Sequence, residues 1–406
     1  MIKVGLDIGN SKISIIVCDV KNDQSIKILS FKSSPTNNVR KSIIVNPISI
    51  KEEVKNILKE AEKESQTKIQ SINLNIPAMD SISVYDNSVI DLAGDKIIDL
   101  HINKAINQSN IFESIDDYLT IQKSIINFCV DNKQVPQNPI GTFGDKLEVG
   151  FYKFAVKKNF INNLLTILEN LNINIENYIP TPLSSALSTL NSDDKLLGSI
   201  CIDLGAASSS IAIFENEQLI FLDAINVGGD NITRDIAKGI STNLESAERL
   251  KTLYGSVVSS PRDEYEHTEI PDLSNDPSKL KQINIGTVNT IIKPRVEETL
   301  ELIWQKLKQN NLHKKKYNNL ILTGGGALLD GINDFASIIF DSHVRIGYSK
   351  ILKGLDNNFI KPQFSQTIGT IYYDKLKYDI NFPGNKEKNN KNNVFSRFSS
   401  WLDQYI

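Results

Sequence analysis

Two segments of this chain repeat one pattern, and the repetition restricts the folds open to it. Val4-Gly-Leu-Asp-Ile-Gly-Asn-Ser-Lys-Ile-Ser-Ile-Ile-Val17 and Ser199-Ile-Cys-Ile-Asp-Leu-Gly-Ala-Ala-Ser-Ser-Ser-Ile-Ala-Ile-Phe214 each run apolar strand, Asp, apolar residue, Gly, small turn, apolar strand. The pattern puts Asp7 and Asp203 at the ends of their first strands. The turns Gly9, Asn10, Ser11, Lys12 and Gly205, Ala206, Ala207, Ser208 leave backbone N–H groups accessible to an anion. One such hairpin says little, since tight turns recruit Asp and Gly for local reasons. Two facing copies form a clamp for a nucleotide's phosphates. A third segment, Leu320-Ile-Leu-Thr-Gly-Gly-Gly-Ala-Leu-Leu-Asp-Gly331, reads as a strand, then Gly324, Gly325 and Gly326, then a helix start. Backbone there can lie flat against a ring.

The order of the three segments resembles that of the actin-like ATPase superfamily, which includes actins, sugar kinases and heat-shock chaperones. In that resemblance the first two segments are phosphate loops and the third is the adenosine loop. Asn226-Val-Gly-Gly-Asp-Asn-Ile-Thr-Arg-Asp-Ile-Ala-Lys-Gly, Ala247-Glu-Arg-Leu-Lys-Thr-Leu-Tyr-Gly255 and Ile292-Lys-Pro-Arg-Val-Glu-Glu298 are further similar to the FtsA family of bacterial cell-division proteins. The fold implied is α/β: an actin-like (ribonuclease-H-like) two-domain ATPase with an FtsA-type inserted subdomain and a C-terminal amphipathic helix.

The resemblance also implies ATP and Mg²⁺ as ligands. Asp7 and Asp203 would hold the hydrated metal, which prefers oxygen and keeps several waters. Gly228, Gly229, Glu248 and Lys251 would join Gly324, Gly325 and Gly326 around the adenosine. By their residues alone, Glu248 and Lys251 read equally as an i,i+3 pair on a solvated helix face. Two positions depart from the superfamily pattern. Ala206 and Ala207 stand in the second loop where glycines are usual, adding a Cβ where backbone approaches phosphate or adopts positive φ. In Ile179-Pro-Thr-Pro-Leu-Ser-Ser-Ala-Leu, Thr181 stands where an acid can position the attacking water. A hydroxyl is no general base near neutral pH without an activator. Hydrolysis is therefore expected to be slow at most, with nucleotide setting conformation and self-association.

The expected organisation is subdomain 1A over 1–81 and 158–195, an inserted subdomain 1C over 82–157, 2A over 196–227 and 291–350, 2B over 228–290, a return to 1A over 351–384, a linker over 385–393 and a terminal helix over 394–406. Pro139-Ile-Gly-Thr-Phe-Gly-Asp-Lys-Leu-Glu-Val149 resembles the 1C signature, with Asn138 where Asp is usual. The spacing predicts a core helix over Ile161–Leu171 and two helices with a break near 241–243. Residues 115–130 mix periods and fit helix or strand. Pro294 is expected to open a helix, because a first-turn N–H has no partner in any case. Residues 256–282 read as an exposed loop with short strands. In the resemblance, 2B docks the FtsZ C-terminal peptide.

Composition fits a chain of two domains: 406 residues, 40% hydrophobic and 23% charged, with net charge −3, which gives no sign of a nucleic-acid binder. Cys18, Cys129 and Cys201 are scattered and read as buried thiols of a reducing compartment. The four histidines lack metal-ligand spacing. Met1-Ile2-Lys3 enters the first strand with no secretory leader pattern, so the N-terminus is expected to stay in the cytoplasm. No apolar run approaches the roughly 20 residues of a spanning helix, so any membrane contact is peripheral.

The tail supplies one. After the polar, Lys- and Asn-rich stretch 385–393, Val394, Phe395, Phe398, Trp401, Leu402, Tyr405 and Ile406 share one helical stripe opposite Ser396, Arg397, Ser399, Ser400, Asp403 and Gln404. Lys386, Lys388, Lys391 and Arg397 add attraction to an anionic membrane. The tail resembles the terminal membrane-targeting helix of the FtsA family, and that resemblance implies a cell-division adaptor at the inner face of the cytoplasmic membrane, at the division site. Its expected partners are FtsZ, itself as homo-oligomer or filament, and later divisome membrane proteins. The competing readings are a PilM-like pilus-assembly adaptor and a small-molecule kinase of the same superfamily. The kinase lacks a base for its acceptor in 181–186.

Overall fold

The computed structural model describes residues 1–375 apart from 22, 24, 42, 110–116, 136–138, 259, 272–279, 315, 316 and 318. Asn138, the tether 385–393 and the terminal segment 394–406 lie outside the described residues. None of the described helices is long and apolar enough to cross a membrane.

The first lobe begins with three antiparallel strands, β1 (Ile2–Ile8), β2 (Lys12–Val20) and β3 (Ile26–Pro35). A small hairpin follows, β4 (Val39–Arg40) with β5 (Ile43–Ile44), and then helix α1 (Pro47–Ser65). Asn46 caps α1 by accepting from the Ser49 N–H, and Pro47 opens it where no N–H is needed. The helix buries Ile50, Val54, Ile57, Leu58 and Ala61, whose spacing makes one stripe against the sheet. Strand β6 (Ser71–Ile76) then pairs parallel to β1.

An inserted sheet follows: β7 (Ile82–Asp91), helix α2 (Asp99–Gln108), β8 (Tyr118–Val130), β9 (Lys133–Val135) and β10 (Lys146–Lys157), in spatial order β7-β10-β8-β9. It has its own small core, in which Ile97, Ile102, Phe128, Leu147, Val149 and Phe151 meet. Of the segment 115–130, open between helix and strand by its periods, residues Tyr118–Val130 form the long strand β8, and 115 and 116 lie outside the described residues. Helix α3 (Lys158–Glu169), close to its expected span, and strand β11 (Asn174–Pro180) complete the first lobe's sheet in the order β11-β6-β1-β2-β3.

Helices α4 (Thr181–Thr189) and α5 (Ser192–Leu197) lead into the second lobe. There β12 (Ser199–Leu204), β13 (Ser209–Glu215) and β14 (Gln218–Ile225) repeat the antiparallel meander. Helices α6 (Gly229–Gly239) and α7 (Leu244–Tyr254) fall on either side of the anticipated break. Strands β15 (His267–Pro271) and β16 (Leu280–Asn284) form a two-stranded ribbon. Helix α8 (Ile285–Gln309), β17 (Asn319–Thr323), α9 (Ile332–Phe340) and β18 (Val344–Ile346) close the lobe, whose sheet runs β14-β13-β12-β17-β18. Helix α10 (Ser365–Gly369) returns the chain to the first lobe. There the Thr370 carbonyl accepts from Asn73 Nδ2 on β6.

One expectation fails here. Pro294 does not open a helix: α8 starts nine residues earlier at Ile285, capped by Asn284 accepting from the Thr287 N–H, and runs through the proline. A proline in a helix interior removes one hydrogen bond and crowds the preceding turn. Ile285, Val288 and Ile292 before it and Val296, Leu300 and Ile303 after it are all buried, and that continuous stripe carries the helix across the defect. Each such fully buried side chain contributes about 1.5–3 kcal/mol.

Candidate functional site

The two loops sit at the carboxyl ends of the parallel central strands β1 and β12, where open α/β sheets place their crevices. They are built alike. The Gly9 N–H donates to the Lys12 carbonyl at 2.9 Å, and the Gly205 N–H to the Ser208 carbonyl at 3.1 Å. Asp7 faces Ser14 across its hairpin, and Asp203 faces Ser210.

Both carboxylates are 2% exposed. Asp7 Oδ1 accepts from Asn75 Nδ2 at 2.8 Å. Burial pushes the Asp7 carboxyl up from its ordinary range and the nearby Asp203 adds to this, while the Lys12 ammonium and the Asn75 bond pull it down. Asp203 Oδ2 accepts from Ser185 Oγ and, at 3.0 Å, from Gln366 Nε2. Burial also pushes Asp203 up, against those two bonds and Lys12. Lys12 is driven down by burial and drawn back by both carboxylates. Its ammonium lies 5.4 Å from the Phe364 ring centroid, a cation–π contact that replaces some of the lost water. Two buried acids and one half-buried ammonium therefore share the cleft, with one formal negative charge in excess.

The remaining Asp203 oxygen, Oδ1, is buried and makes no hydrogen bond to the described residues. An orphaned buried carboxylate oxygen is costly, and a hydrated divalent cation is the kind of ligand that would satisfy it. The donor set therefore fits Mg²⁺.

Holding these acids falls to residues that no local sequence pattern marks. Asn75, next to last in β6, links three groups: its amide donates to Asp7 and to Thr181 Oγ1, and its carbonyl accepts from Ser184 Oγ at 2.7 Å. Ser185, the next residue on α4, donates to Asp203. Helix α4 thus supports one acid directly and the other through Asn75. Thr181 donates to the Ile76 carbonyl at 3.1 Å. Its hydroxyl is committed to the β6 end and offers no base.

The second loop is also braced from behind. The Gly229 and Asp230 N–H groups at the start of α6 donate to the Gly205 and Ala206 carbonyls at 2.9 and 2.8 Å. A Cβ on Gly228 would lie 2.6 Å from both carbonyl oxygens, so only glycine allows this approach. Ala206 and Ala207 both hold negative φ, so their side chains carry no backbone strain of the kind the loop pattern suggested. Gly324, at φ +82°, packs its bare Cα against Asp203 Oδ1 and the Leu204 backbone. Gly325 faces open space: a Cβ added there would meet no atom within 4 Å.

Gly228, Gly229 and Gly326 line one apolar pocket with Leu204, Val296 and Leu329. Lys251 stands beside it. Its ammonium donates to the Gly229 carbonyl at 3.1 Å, to Thr233 Oγ1 at 2.8 Å and to Glu248 at 2.7 Å. The i,i+3 ion pair and the position at the α6 start are therefore both present. The structure brings together Asp7, Gly9, Lys12, Asp203 and Gly205 to Ser208 at the cleft, with Asn10 and Ser11 on the same first loop. It sets Gly228, Gly229, Glu248, Lys251 and Gly324 to Gly326 around the second lobe's side of that cleft. Phe395, Phe398, Trp401, Leu402, Tyr405 and Ile406 lie outside the described residues.

Of the thiols, Cys18 and Cys201 are buried and free, and burial pushes both up to about 12, while Cys129 is half-buried. Among the described residues no group of His, Cys, Asp and Glu forms a metal cluster of three or more.

Paired meanders with facing Asp-x-Gly turns and a glycine loop beside them define an actin-like ATPase fold. Solved structures agree on that fold. The chain superposes on a chain of the PilM–PilN type IV pilus biogenesis complex with TM-score 0.63 at 14% identity, covering 91% of this chain and 97% of that one. On MreB5 of Spiroplasma citri bound to ADP the TM-score is 0.55 at 13% identity, covering 93% and 97%. By sequence, residues 200–369 match the family described as cell division protein FtsA. The chain is 26% identical to cell division protein FtsA of Rhizobium meliloti (strain 1021) over 98% of its length and 93% of that protein's. It is 24% identical to the FtsA of Escherichia coli (strain K12) over 98% and 97%. The chain thus has the actin-like fold and is similar over nearly its whole length to cell division proteins of the FtsA family.

Proposed function

We propose that this protein binds ATP with Mg²⁺ in the cleft between its lobes, self-associates on the inner face of the cytoplasmic membrane, and tethers FtsZ filaments there while later divisome membrane proteins are recruited. The observation that carries the reading is the paired cleft itself, with two buried carboxylates, a half-buried ammonium and an orphaned Asp203 oxygen between matching turns. Asp7 and Asp203 would hold the cation, which supplies charge neutralisation for the phosphates. The turns 9–12 and 205–208 would present N–H groups to those phosphates. The adenosine would lie against Gly325, with Glu248 and Lys251 at its sugar. With Thr181 bonded to Ile76, no side chain at that position activates water, and hydrolysis is at most slow. Region 228–290 is assigned the FtsZ C-terminal peptide, and the amphipathic sequence 394–406 the anionic membrane.

The test is liposome co-sedimentation with ATP and purified FtsZ. The intact chain, a chain ending at Asn392 and Trp401→Glu are compared. The intact chain is expected to pellet and bring FtsZ with it, and both variants to stay in solution. Equal behaviour of all three removes the tail from the reading and restores the pilus and kinase alternatives.

A further inference from the structure

Strand β14 is the last strand of the second lobe's sheet on one side, so its outward main-chain groups have no strand to pair with. Edges of this kind are normally covered or blunted. Here side chains of the inserted sheet cover it. The Tyr152 phenol on β10 accepts from the Leu222 N–H and donates to the Leu222 carbonyl, each at 2.6 Å. One hydroxyl thus satisfies both main-chain groups of one residue, as a neighbouring strand would. Ser83 Oγ on β7 donates to the same carbonyl at 2.5 Å and lies 2.9 Å from the phenol oxygen. Tyr85 Oη reaches the Ile220 carbonyl at 3.4 Å, and its ring packs 5.3 Å from that of Tyr152. Tyr152 is fully buried, and burial keeps its phenol protonated by pushing it well above its ordinary value.

The inserted sheet is covalently part of the first lobe, since it lies between β6 and α3. It is fastened there too, because Tyr373 Oη donates to Gln122 on β8 at 3.2 Å. Asp80, in the connection leading to β7, meets Lys157 at the end of β10 at 3.4 Å and Asn226 just after β14 at 2.8 Å. The other edge of the first lobe's sheet is covered in a comparable way. Strand β3 is met there by chain that has left the second lobe's last strand, where the Ile28 N–H donates to the Lys353 carbonyl at 2.8 Å.

We propose that the inserted sheet is a strap between the lobes, and that the Tyr152 hydroxyl is its fastening on the second lobe. Lobe separation on the β11–β14 side requires drawing a buried phenol off both main-chain groups of Leu222 and leaving them unpaired, which is costly in a dry interface. Rotation about the α4 and α10 crossings therefore carries the inserted sheet along with the edge of the second lobe.

The test uses the full chain with Tyr152→Phe, which keeps the ring and removes the hydroxyl. Hydrogen exchange followed by mass spectrometry is read over 218–225, 148–156 and, as a control, 2–8. Nitroxide labels on Asn87→Cys and Gln218→Cys, in a Cys129→Ser background, report the separation of the inserted sheet from the second lobe. The strap predicts about tenfold faster exchange over 218–225, unchanged exchange over 2–8, and a new longer-distance population between the labels. Unchanged exchange over 218–225 and an unchanged distance distribution overturn it. If Tyr152→Phe does not fold, Ser83→Ala with Tyr85→Phe serves for the same two readouts, with a smaller increase expected and the absence of any change again decisive. Neither readout uses nucleotide, so the strap stands or falls independently of the ATP reading.

Discussion

The two phosphate-loop candidates share a backbone and differ in how they are supported. In the first lobe, Asp7 is steadied by Asn75 and by the half-buried Lys12 ammonium within its own turn. In the second, Ser208 occupies the place of Lys12. Asp203 is held by Ser185 and Gln366, and the turn's carbonyls are gripped by the first N–H groups of α6. One half-site is thus held by charge and the other by packing. The same geometry can be reached by electrostatic compensation or by close backbone approach, and the two respond to different perturbations.

The largest effect should come from removing the charge. Lys12→Met leaves two buried carboxylates without their cation, and losing one partner of a buried charged set costs about 3–5 kcal/mol. Urea unfolding measures it. The pH dependence is a second readout. A carboxyl whose folded pKa lies above its unfolded value binds protons more tightly when folded, so it adds stability as pH falls through the raised value. Without Lys12 the Asp7 carboxyl rises further, so the variant should gain more stability than the parent in mild acid and recover part of its loss there. A loss that is the same at every pH would contradict the electrostatic account.

Gly228→Ala attacks the other half-site and should cost about 2–3 kcal/mol, since the new Cβ meets two backbone oxygens that cannot turn aside. Gly9→Ala, whose Cβ meets one carbonyl at 3.1 Å, should cost less than about 1 kcal/mol. Equal thermal shifts for the two would erase the distinction between the half-sites. Ser185→Ala is milder than Gly228→Ala. Asp203 keeps Gln366, so about 1 kcal/mol of stability is lost, and under the ATP reading the Mg²⁺ dependence of nucleotide binding weakens in calorimetry. Gly325→Ala is the smallest in stability, within about 0.5 kcal/mol, because its Cβ enters open space. Under the ATP reading it nonetheless lowers nucleotide affinity severalfold. An unchanged affinity would move the adenosine elsewhere.

What the sequence disclosed follows the same division. The turns were legible because Asp, Gly and small residues at fixed offsets are a local pattern, and local patterns survive without coordinates. The supports were not. Asn75 lies 68 residues from Asp7, and Gln366 lies 163 residues from Asp203. An Asn in a strand or a Gln in a short helix has no feature that sets it apart beforehand. Strand β8 was ambiguous because both of its faces are partly covered, which removes the alternation that marks a half-exposed strand. Pro294 was misplaced because the local rule for proline favours helix starts, whereas the buried stripe from Ile285 to Ile303 decided the matter at long range. The close backbone contact of Gly228 with the second turn follows the Gly-Gly pair in the sequence, but which carbonyls it meets does not.

The bond between Asn73 and the Thr370 carbonyl joins residues 297 apart, and it fixes an order of events during synthesis. The second lobe is one continuous stretch, from β12 to β18. The first lobe needs its amino-terminal strands and the segment after α10 together. On the ribosome the later-made half can therefore reach its final form first, while the earlier-made half waits, with the cradle for residues 365–373 unfilled, until nearly the whole chain has emerged.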